Sequence, residues 1–263
     1  MARRRARPAI ACVLLALSAS GVASPLGGTA DAVRAELRAR LPKPPAALAT
    51  VSGDAQTQAV LARGHEIWTR RFANGRSLAG CFPNGGIRLA TAHPRFDRAL
   101  GVVITLEMAV NQCLKAHREP LLDPSDPQSM GALTAYIRYL AAGQRLSIRV
   151  DSDDAQVAFA SGRAFFFDPR GPSQRACADC HAPIAAQPVL GETPPPSALT
   201  LATSWPTLKD GSARTLQMQA RECLEKRLQA EMPAVDSAAL AHLDYFLSYL
   251  ANGDPIAPSP PAP

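Results

Sequence analysis

The sequence has 263 residues, enough for one large or two small domains, and its hydrophobic fraction of 47% allows a sizeable core. The formal net charge is +6, but four arginines lie within the first seven residues. Without them, 24 basic residues face 22 acidic ones, a net charge of +2. This small excess gives no indication of a nucleic-acid-binding function.

Residues 1–23 have the pattern of a secretory signal peptide. The early arginines precede an apolar stretch over residues 10–17, and the small residues at 21–23 form a plausible cleavage site. The apolar stretch is too short for a transmembrane helix. We therefore expect a periplasmic protein without a membrane span, in a compartment where disulfides can form.

Residues 24–54 and 255–263 flank the most informative part of the chain. The first stretch is rich in Ala and Pro, with a short amphipathic segment from Asp31 to Leu41, and is expected to be an N-terminal extension. The second contains five prolines among nine residues. Its composition predicts a disordered tail.

An internal repeat occupies the chain between these flanks. QAVLARGHEIW from Gln58 matches QVAFASGRAFF from Gln156 at an offset of 98, which aligns Gly64 with Gly162. Further on, a constant offset of 110 relates pairs that share a residue type: Cys113 with Cys223, Asp126 with Asp236, Tyr139 with Tyr249, and Gly143 with Gly253. The aspartates are expected to be N-caps of closing helices. The repeat predicts two small helical domains with the layout of a cytochrome c, at 55–150 and 155–254.

The run Cys177-Ala178-Asp179-Cys180-His181 is a CxxCH motif, the attachment signal for a c-type haem. Its two thiols suit thioether bonds to the haem vinyl groups, and its histidine suits the proximal iron ligand. A zinc site would need a second ligand pair, and a thioredoxin-like motif would need a βαβ pattern; the sequence has neither. One covalently bound haem c is therefore predicted. The remaining histidines share no metal-binding spacing and are expected to be surface or satisfied residues: His65, His93, His117 and His242. The alternative for His93 and His117 is a regained ligand in the first copy of the repeat.

The first copy of the repeat keeps only Cys81 where the second has CxxCH. If the two domains share a fold, Cys81 and Cys113 lie on facing sides of a haem pocket that has lost its haem. In an oxidising compartment they are expected to form a disulfide. The alternative is two free buried thiols.

Cys223 is then an unpaired cysteine in an exported protein. It is either the distal haem ligand, whose thiolate would favour ferric iron and remain a nucleophile, or a buried apolar residue with Met218 or Met232 as the sixth ligand. Arg221, two residues away, is expected to favour the thiolate. Arg214 and Arg221 are either attractors of an anionic substrate or ordinary surface residues.

Taken together, these motifs resemble the SoxA family, the larger cytochrome subunit of the periplasmic SoxAX complex of sulfur oxidation. The similar segments are GRAFFFDPRG ahead of ACADCH, RECLEKRLQAE, FLSYLANGDPI and, in the first copy, TLEMAVNQCLKAHREPLL and LTAYIRYLAAGQ. The resemblance implies a mainly α fold with two cytochrome c-like domains in tandem. It also implies the one-haem type, in which the N-terminal domain has no haem and keeps a disulfide.

The family's activity implies an L-cysteine S-thiosulfotransferase subunit, which couples thiosulfate oxidatively to a cysteine of a SoxYZ-like carrier complex. Electrons pass to the haem of a SoxX-like small monohaem cytochrome, the partner in a heterodimer. The resemblance implies that Cys223 ligates the active-site haem and carries a persulfide, with His181 as its trans ligand and Arg221 as a catalytic basic residue.

Two residues depart from the family pattern. Gln219 stands where an arginine is typical, and Glu222 replaces a glycine. A carboxylate beside an anion site costs on the order of 1 kcal/mol when solvated, so the departures bear on catalysis more than on fold. The alternatives are an electron-transfer cytochrome without transferase activity, or a subunit that only scaffolds a partner cytochrome.

Overall fold

The computed structural model describes residues 28–41, 55–182 and 196–257. The chain is mainly helical, as predicted, with two short antiparallel hairpins. The expected signal peptide, residues 1–23, lies outside the described residues. Among the described helices, none is long and apolar enough to cross a membrane.

The first half contains helices, short 3₁₀ turns and one hairpin. Its elements in chain order are helix α2 (Ala55–Thr69), the 3₁₀ turns Leu78–Cys81, Pro83–Gly86 and Ala90–Ala92, strands β1 (Arg95–Asp97) and β2 (Val102–Ile104), and helices α3 (Leu106–Ala116) and α4 (Met130–Leu140). Thr105 begins α3 because its side chain accepts a hydrogen bond from the Met108 amide.

The second half follows the same order. Its elements are helix α5 (Asp153–Phe167), the short helices α6 (Cys177–His181) and α7 (Ala198–Ser204), strands β3 (Thr207–Lys209) and β4 (Ser212–Arg214), helix α8 (Leu216–Cys223), the π-turn Leu224–Leu228, and helix α9 (Ala238–Leu250). Thr215 caps α8 as Thr105 caps α3, through a hydrogen bond from the Met218 amide.

Each half is centred on a close crossing of two helices, α2 with α4 and α5 with α9. The glycines aligned by the repeat lie at these crossings. A Cβ atom on Gly64 would lie 2.2 Å from the carbonyl oxygen of Ala132, and one on Gly162 would lie 1.9 Å from that of His242. Glycine is required at both positions because a helix backbone occupies the space of a side chain.

The hairpin of each half packs on the closing helix of the other half, β4 on α4 and β2 on α9. Gly131 of α4 lies against the backbone of Ala213, and the Ala213 amide donates to the Pro127 carbonyl at 3.3 Å. In the reciprocal contact, the Thr105 hydroxyl donates to Asp236 at 3.1 Å. The halves are therefore joined by two equivalent contacts.

The predicted aspartate N-caps are wrong. Helix α4 begins after Ser129 and α9 after Ser237, whose side chain accepts from the Leu240 amide. Asp126 instead accepts from the Gln128 and Ser129 amides in the turn before α4. Asp236 has a φ of 62° and bonds to Thr105. Both aspartates stabilise the turn that leads into a helix.

The N-terminal segment packs on the C-terminal end of the same chain. Helix α1 (Ala30–Arg40) lies against α9, where Arg38 pairs with Asp254 at 2.8 Å and Tyr249 donates its hydroxyl proton to Asp31. Residues 255–257, expected to belong to a disordered tail, are ordered here. Ile256 is only 1% exposed, and its amide donates to the Gln144 carbonyl at 2.9 Å. The packed part of the second half therefore extends to residue 257, three residues beyond the predicted domain end at 254.

Candidate functional site

A cavity of about 590 Å³ in the second half brings the CxxCH cysteines and histidine together with Cys223. Cys223 ends helix α8, so the fold, and not sequence proximity, places it there. Much of the remaining wall is apolar and comes from α5, α7, α8 and α9: Phe165, Phe166, Leu201, Leu216, Leu243 and Leu247. The cavity combines sulfur ligands, an imidazole and an apolar wall.

The histidine of the motif is held in a defined tautomer. The Nδ1 atom of His181 lies 2.8 Å from the Pro196 carbonyl oxygen, which can only accept a hydrogen bond. Nδ1 therefore carries the proton, and Nε2 is left as a free metal ligand. Burial lowers the pKa of His181, against the opposing effect of this hydrogen bond. Asp179 stabilises the start of α6 by accepting from the Ala176 amide at 2.9 Å.

The residues present fit a covalently bound haem. Cys177 and Cys180 lie on one turn of helix α6, and the Nε2 atom of His181 is available as an iron ligand. Arg214 also lines the cavity, and its buried Nη1 atom has no hydrogen-bond partner among the described residues. An acidic group of a bound cofactor, such as a haem propionate, would satisfy this donor. The chain therefore offers thioether, axial and carboxylate-binding positions in one cavity.

Cys223 lies in a mixed electrostatic environment. Burial raises the pKa of the Cys223 thiol, the nearby Cys180 adds to the increase, and Arg227 and Arg175 oppose it. Burial likewise raises the pKa of Cys177 to about 12, with Cys223 as the second cause. The three sulfurs line the same cavity.

The basic residues of the cavity differ from those expected. Arg214 lines it, but Arg221 is not among the described residues that do; Arg175, Lys226 and Arg227 are. Arg227 and Arg175 oppose the rise in the pKa of the Cys223 thiol, and the catalytic role of Arg221 stays a prediction. Residues two apart on a helix point in different directions, whereas residues three and four apart share a face. This spacing from Cys223 could have identified Lys226 and Arg227 from the sequence.

Both residues that depart from the family pattern line the cavity. Glu222 pairs with Lys226 and lies 3.8 Å from the Nε atom of Arg214. Gln219 donates to the Arg214 carbonyl at 3.0 Å. The two departures therefore hold the cationic residues in place, and Glu222 also offsets part of their charge.

The alternative methionine ligands do not line this cavity among the described residues. Met218 follows two residues after the start of α8, and Met232 is 38% exposed on the surface. The geometry therefore favours Cys223 over either methionine as the group that faces the CxxCH motif.

A second cavity, of about 610 Å³, lies at the corresponding place in the first half. It is lined by a disulfide between Cys81 and Cys113, whose Cα atoms are 6.2 Å apart. The two sulfurs and one imidazole nitrogen of His117 lie within 4.8 Å of one another. The expected pair of cysteines is thus bonded in the structure.

Comparison with known proteins gives a close match. The chain is 34% identical over 198 residues to the L-cysteine S-thiosulfotransferase subunit SoxA of Allochromatium vinosum, covering 73% of this chain and 69% of that protein. The chain belongs to the SoxA family. A protein of the same name from Chlorobaculum tepidum is 32% identical over 192 residues, covering 72% of this chain and 66% of that protein. The chain thus spans about two thirds of the length of these relatives.

Two further comparisons concern the fold of this SoxA family member. The family model described as SoxA/TsdA, cytochrome c domain, matches residues 63–146, in the half that lacks CxxCH. The crystal structure of SoxXA from P. pantotrophus superposes with a TM-score of 0.68 at 21% identity, over 79% of each chain. The mainly helical, cytochrome c-like fold predicted from the sequence is confirmed.

Proposed function

We propose that the chain is the L-cysteine S-thiosulfotransferase subunit of a periplasmic sulfur-oxidising complex. It would couple thiosulfate to a cysteine of a carrier protein. The observation that carries this proposal is the cavity in which Cys223 meets the CxxCH motif and four cationic side chains. An ordinary electron-transfer haem pocket needs neither a third cysteine nor a cationic surround for a small dianion.

The reaction is a two-electron oxidation and therefore needs an electron acceptor. A sulfur–sulfur bond forms between the terminal sulfur of thiosulfate and the carrier cysteine, whose thiol loses its proton, and the two sulfurs together lose two electrons. When bound, haem supplies the electron-acceptor chemistry through which these electrons leave towards a partner cytochrome.

The chain's own residues bind and orient the reactants. Arg175, Arg214 and Arg227 attract the dianion into a site whose apolar wall limits access of water, where charge interactions are stronger than in bulk solvent. The Cys223 sulfur is the reactive group beside the bound anion, and Cys223 and His181 are the residues that would hold the haem iron. Glu222 opposes anion binding and keeps Arg214 and Lys226 near the cavity.

We further propose that the chain holds one haem c, in a domain at 155–254, and that the domain at 55–150 is a cytochrome c-like unit without haem. The shared element order and the two glycine crossings support a common ancestry of the halves. The match of a cytochrome c family model to residues 63–146 supports the same proposal. Intact mass of the mature protein tests it, since one haem is expected and two would contradict it.

The proposed partners are a SoxX-like monohaem cytochrome, as a heterodimer, and a SoxYZ-like carrier complex, in the periplasm after export by the segment at 1–23. The fold shared with the SoxXA structure supports the first partner. Co-purification from periplasm tests the heterodimer, and cleavage of the signal segment is read from the N-terminus of the same material.

The decisive experiment compares Cys223→Ala with Met218→Leu in the haem-loaded complex. Cys223→Ala is expected to abolish thiosulfate coupling and to change the haem absorption spectrum, whereas Met218→Leu changes neither. Full coupling activity in Cys223→Ala would contradict the proposal. An unchanged spectrum in Cys223→Ala, with a changed one in Met218→Leu, would favour the electron-transfer alternative.

A further inference from the structure

The cavity of the first half surrounds the Cys81–Cys113 disulfide with positive charge. Three arginines line it, and none of the described lining residues carries a carboxylate. The arginines are Arg76, Arg88 and Arg95, of which Arg95 is also paired with Asp97 at 3.0 Å. Such a surround raises the local concentration of small anions at the disulfide.

The two sulfurs differ in exposure. Cys81 is partly exposed at the end of a 3₁₀ turn, whereas Cys113 is 7% exposed within α3. His117 follows Cys113 by one helical turn, and its imidazole lies within 4.8 Å of both sulfurs. An entering nucleophile therefore meets Cys81 first, and the sulfur that would leave has an imidazole beside it.

The same three ligand atoms could be considered as a metal site, but the charge argues against it. Both thiols would have to be reduced before they could bind a cation, and the three arginines would repel that cation. The same arginines favour an anionic reactant, and the disulfide needs no prior reduction to react with one.

We propose that the Cys81–Cys113 disulfide is a second reactive sulfur site, which accepts a small anionic sulfur nucleophile of the sulfite class. The sulfite sulfur attacks the Sγ atom of Cys81 and forms a new sulfur–sulfur bond while the Cys81–Cys113 bond breaks. Cys81 becomes an S-sulfonate, and Cys113 leaves as a thiolate next to the imidazole of His117, whose Nδ1 atom accepts a hydrogen bond from Asn74 and whose Nε2 atom therefore carries a proton. The dianion is divided into two monoanions, so no external oxidant or reductant is required. The reverse attack by Cys113 releases sulfite again.

This site does not depend on the proposed thiosulfotransferase function, because neither Cys223 nor its cavity takes part. If sulfite adds to Cys81, the half without CxxCH holds a sulfur oxyanion covalently and can release it again. The experiment therefore measures the modified Cys81 directly. It does not use thiosulfotransferase activity as a readout.

The test treats the haem-loaded protein with sulfite at neutral pH and maps the product by peptide mass spectrometry after alkylation of free thiols. The expected product carries one sulfonate on Cys81 and an alkylated Cys113. The rate is expected to fall as ionic strength rises, because the attraction is screened. A sulfonate on Cys113, or a product that forms only in denaturant, would overturn the proposal.

Variants test the role of the arginines. Arg76→Gln, Arg88→Gln and Arg95→Gln are each expected to slow the sulfite reaction about fivefold, as expected for losing one nearby charge interaction. Arg70→Gln, an exposed arginine outside the cavity lining, is the matched control and keeps the wild-type rate. An uncharged phosphine, tris(hydroxypropyl)phosphine, attacks the same disulfide without a negative charge, and its rate is expected to be unchanged in all variants. Equal slowing of both reagents would show that the arginines control only access and would overturn the anion-receiving role. In denaturant, every variant is expected to react with sulfite at the wild-type rate. Equal rates would show that the arginines act on the reaction only in the folded protein.

Discussion

Glu222 sets how strongly the Cys223 cavity attracts an anion. Its carboxylate lies among the cationic residues of the lining, paired with Lys226 and near Arg214, and its charge also raises the pKa of Cys223. One carboxylate in a partly solvated cavity offsets an anion's binding by roughly 1 kcal/mol. The charge of Glu222 is therefore expected to determine how tightly the cavity binds an anion.

Glu222→Gln is expected to lower the thiosulfate concentration that half-saturates coupling by about fivefold, since the repulsion is removed while the side-chain volume is kept. Steady-state kinetics of the haem-loaded complex measures this. Glu225→Gln removes an exposed carboxylate that does not line the cavity and serves as the control. A weaker apparent affinity in Glu222→Gln would mean that its hold on Arg214 and Lys226 outweighs its charge.

Glu107 is a buried acid at the contact between the halves. It is 1% exposed, and burial raises its pKa to about 8, with Asp244 and Asp236 as further causes. Its Oε2 atom has no hydrogen-bond partner among the described residues. Glu107 is therefore protonated in the folded protein at neutral pH.

The raised pKa predicts a pH dependence of stability. Between the ordinary pKa of 4.5 and the folded value of about 8, the folded chain holds a proton that the unfolded chain has released. The free energy of unfolding is therefore greatest below the lower value and falls as the pH rises towards the upper one. Glu107→Gln is expected to flatten this fall, measured by urea unfolding at several pH values. An exposed acid, changed in Glu66→Gln, is expected to leave the profile unaltered.

At the scale of the elements, the two helix crossings depend on Gly64 and Gly162. A methyl group at either position would meet a backbone carbonyl of the facing helix, which cannot move aside as a flexible side chain can. The crossing of α5 and α9 also carries the aromatic core, where Phe159 and Phe166 pack against Phe246. The helices must therefore separate to accept any side chain.

Gly64→Ala and Gly162→Ala are each expected to destabilise the protein by about 1–3 kcal/mol, the usual cost of forcing extra atoms into a packed core. Chemical denaturation measures the change. Gly80→Ala is the matched control, because a Cβ atom there has no neighbour within 4 Å. If Gly162→Ala lowered the free energy of unfolding no more than Gly80→Ala does, the crossing of α5 and α9 would not be as close as in the structure.

The elements show what the sequence could and could not predict. The internal repeat predicted two helical domains, each with a closing helix, because the same residue types recur at a constant offset. The serine caps of α4 and α9 were missed, since Ser129 and Ser237 directly follow turns that the aspartates organise. The position of Arg175 near Cys223 was missed because the two residues are 48 positions apart in the chain and come together only in the folded cavity. Tertiary packing, which no local pattern records, determined these features.

At the scale of the whole molecule, the halves exchange contacts rather than meeting at one flat surface. Each hairpin packs on the other half's closing helix, and Thr105, the cap of α3, bonds to Asp236 before α9. Helix α1 adds a further contact by binding the end of α9. A substitution that destabilises one half is therefore expected to destabilise the other. The two halves are expected to unfold in one cooperative transition.

The Cys81–Cys113 disulfide provides the test of this coupling. It joins residues 32 apart, and loss of such a crosslink costs about 4 kcal/mol by the chain-entropy relation. In the Cys81→Ser, Cys113→Ser double variant, far-UV circular dichroism and the haem absorption band are expected to report one shared transition, shifted to lower denaturant concentration. The two substitutions can affect the haem half only through its contacts with the weakened half, so a haem transition that stays at its wild-type midpoint would mean that the halves unfold independently. Thr105→Val then distinguishes the two cases further, because it removes the bond to Asp236 and is expected to separate the two midpoints only if that contact carries the coupling.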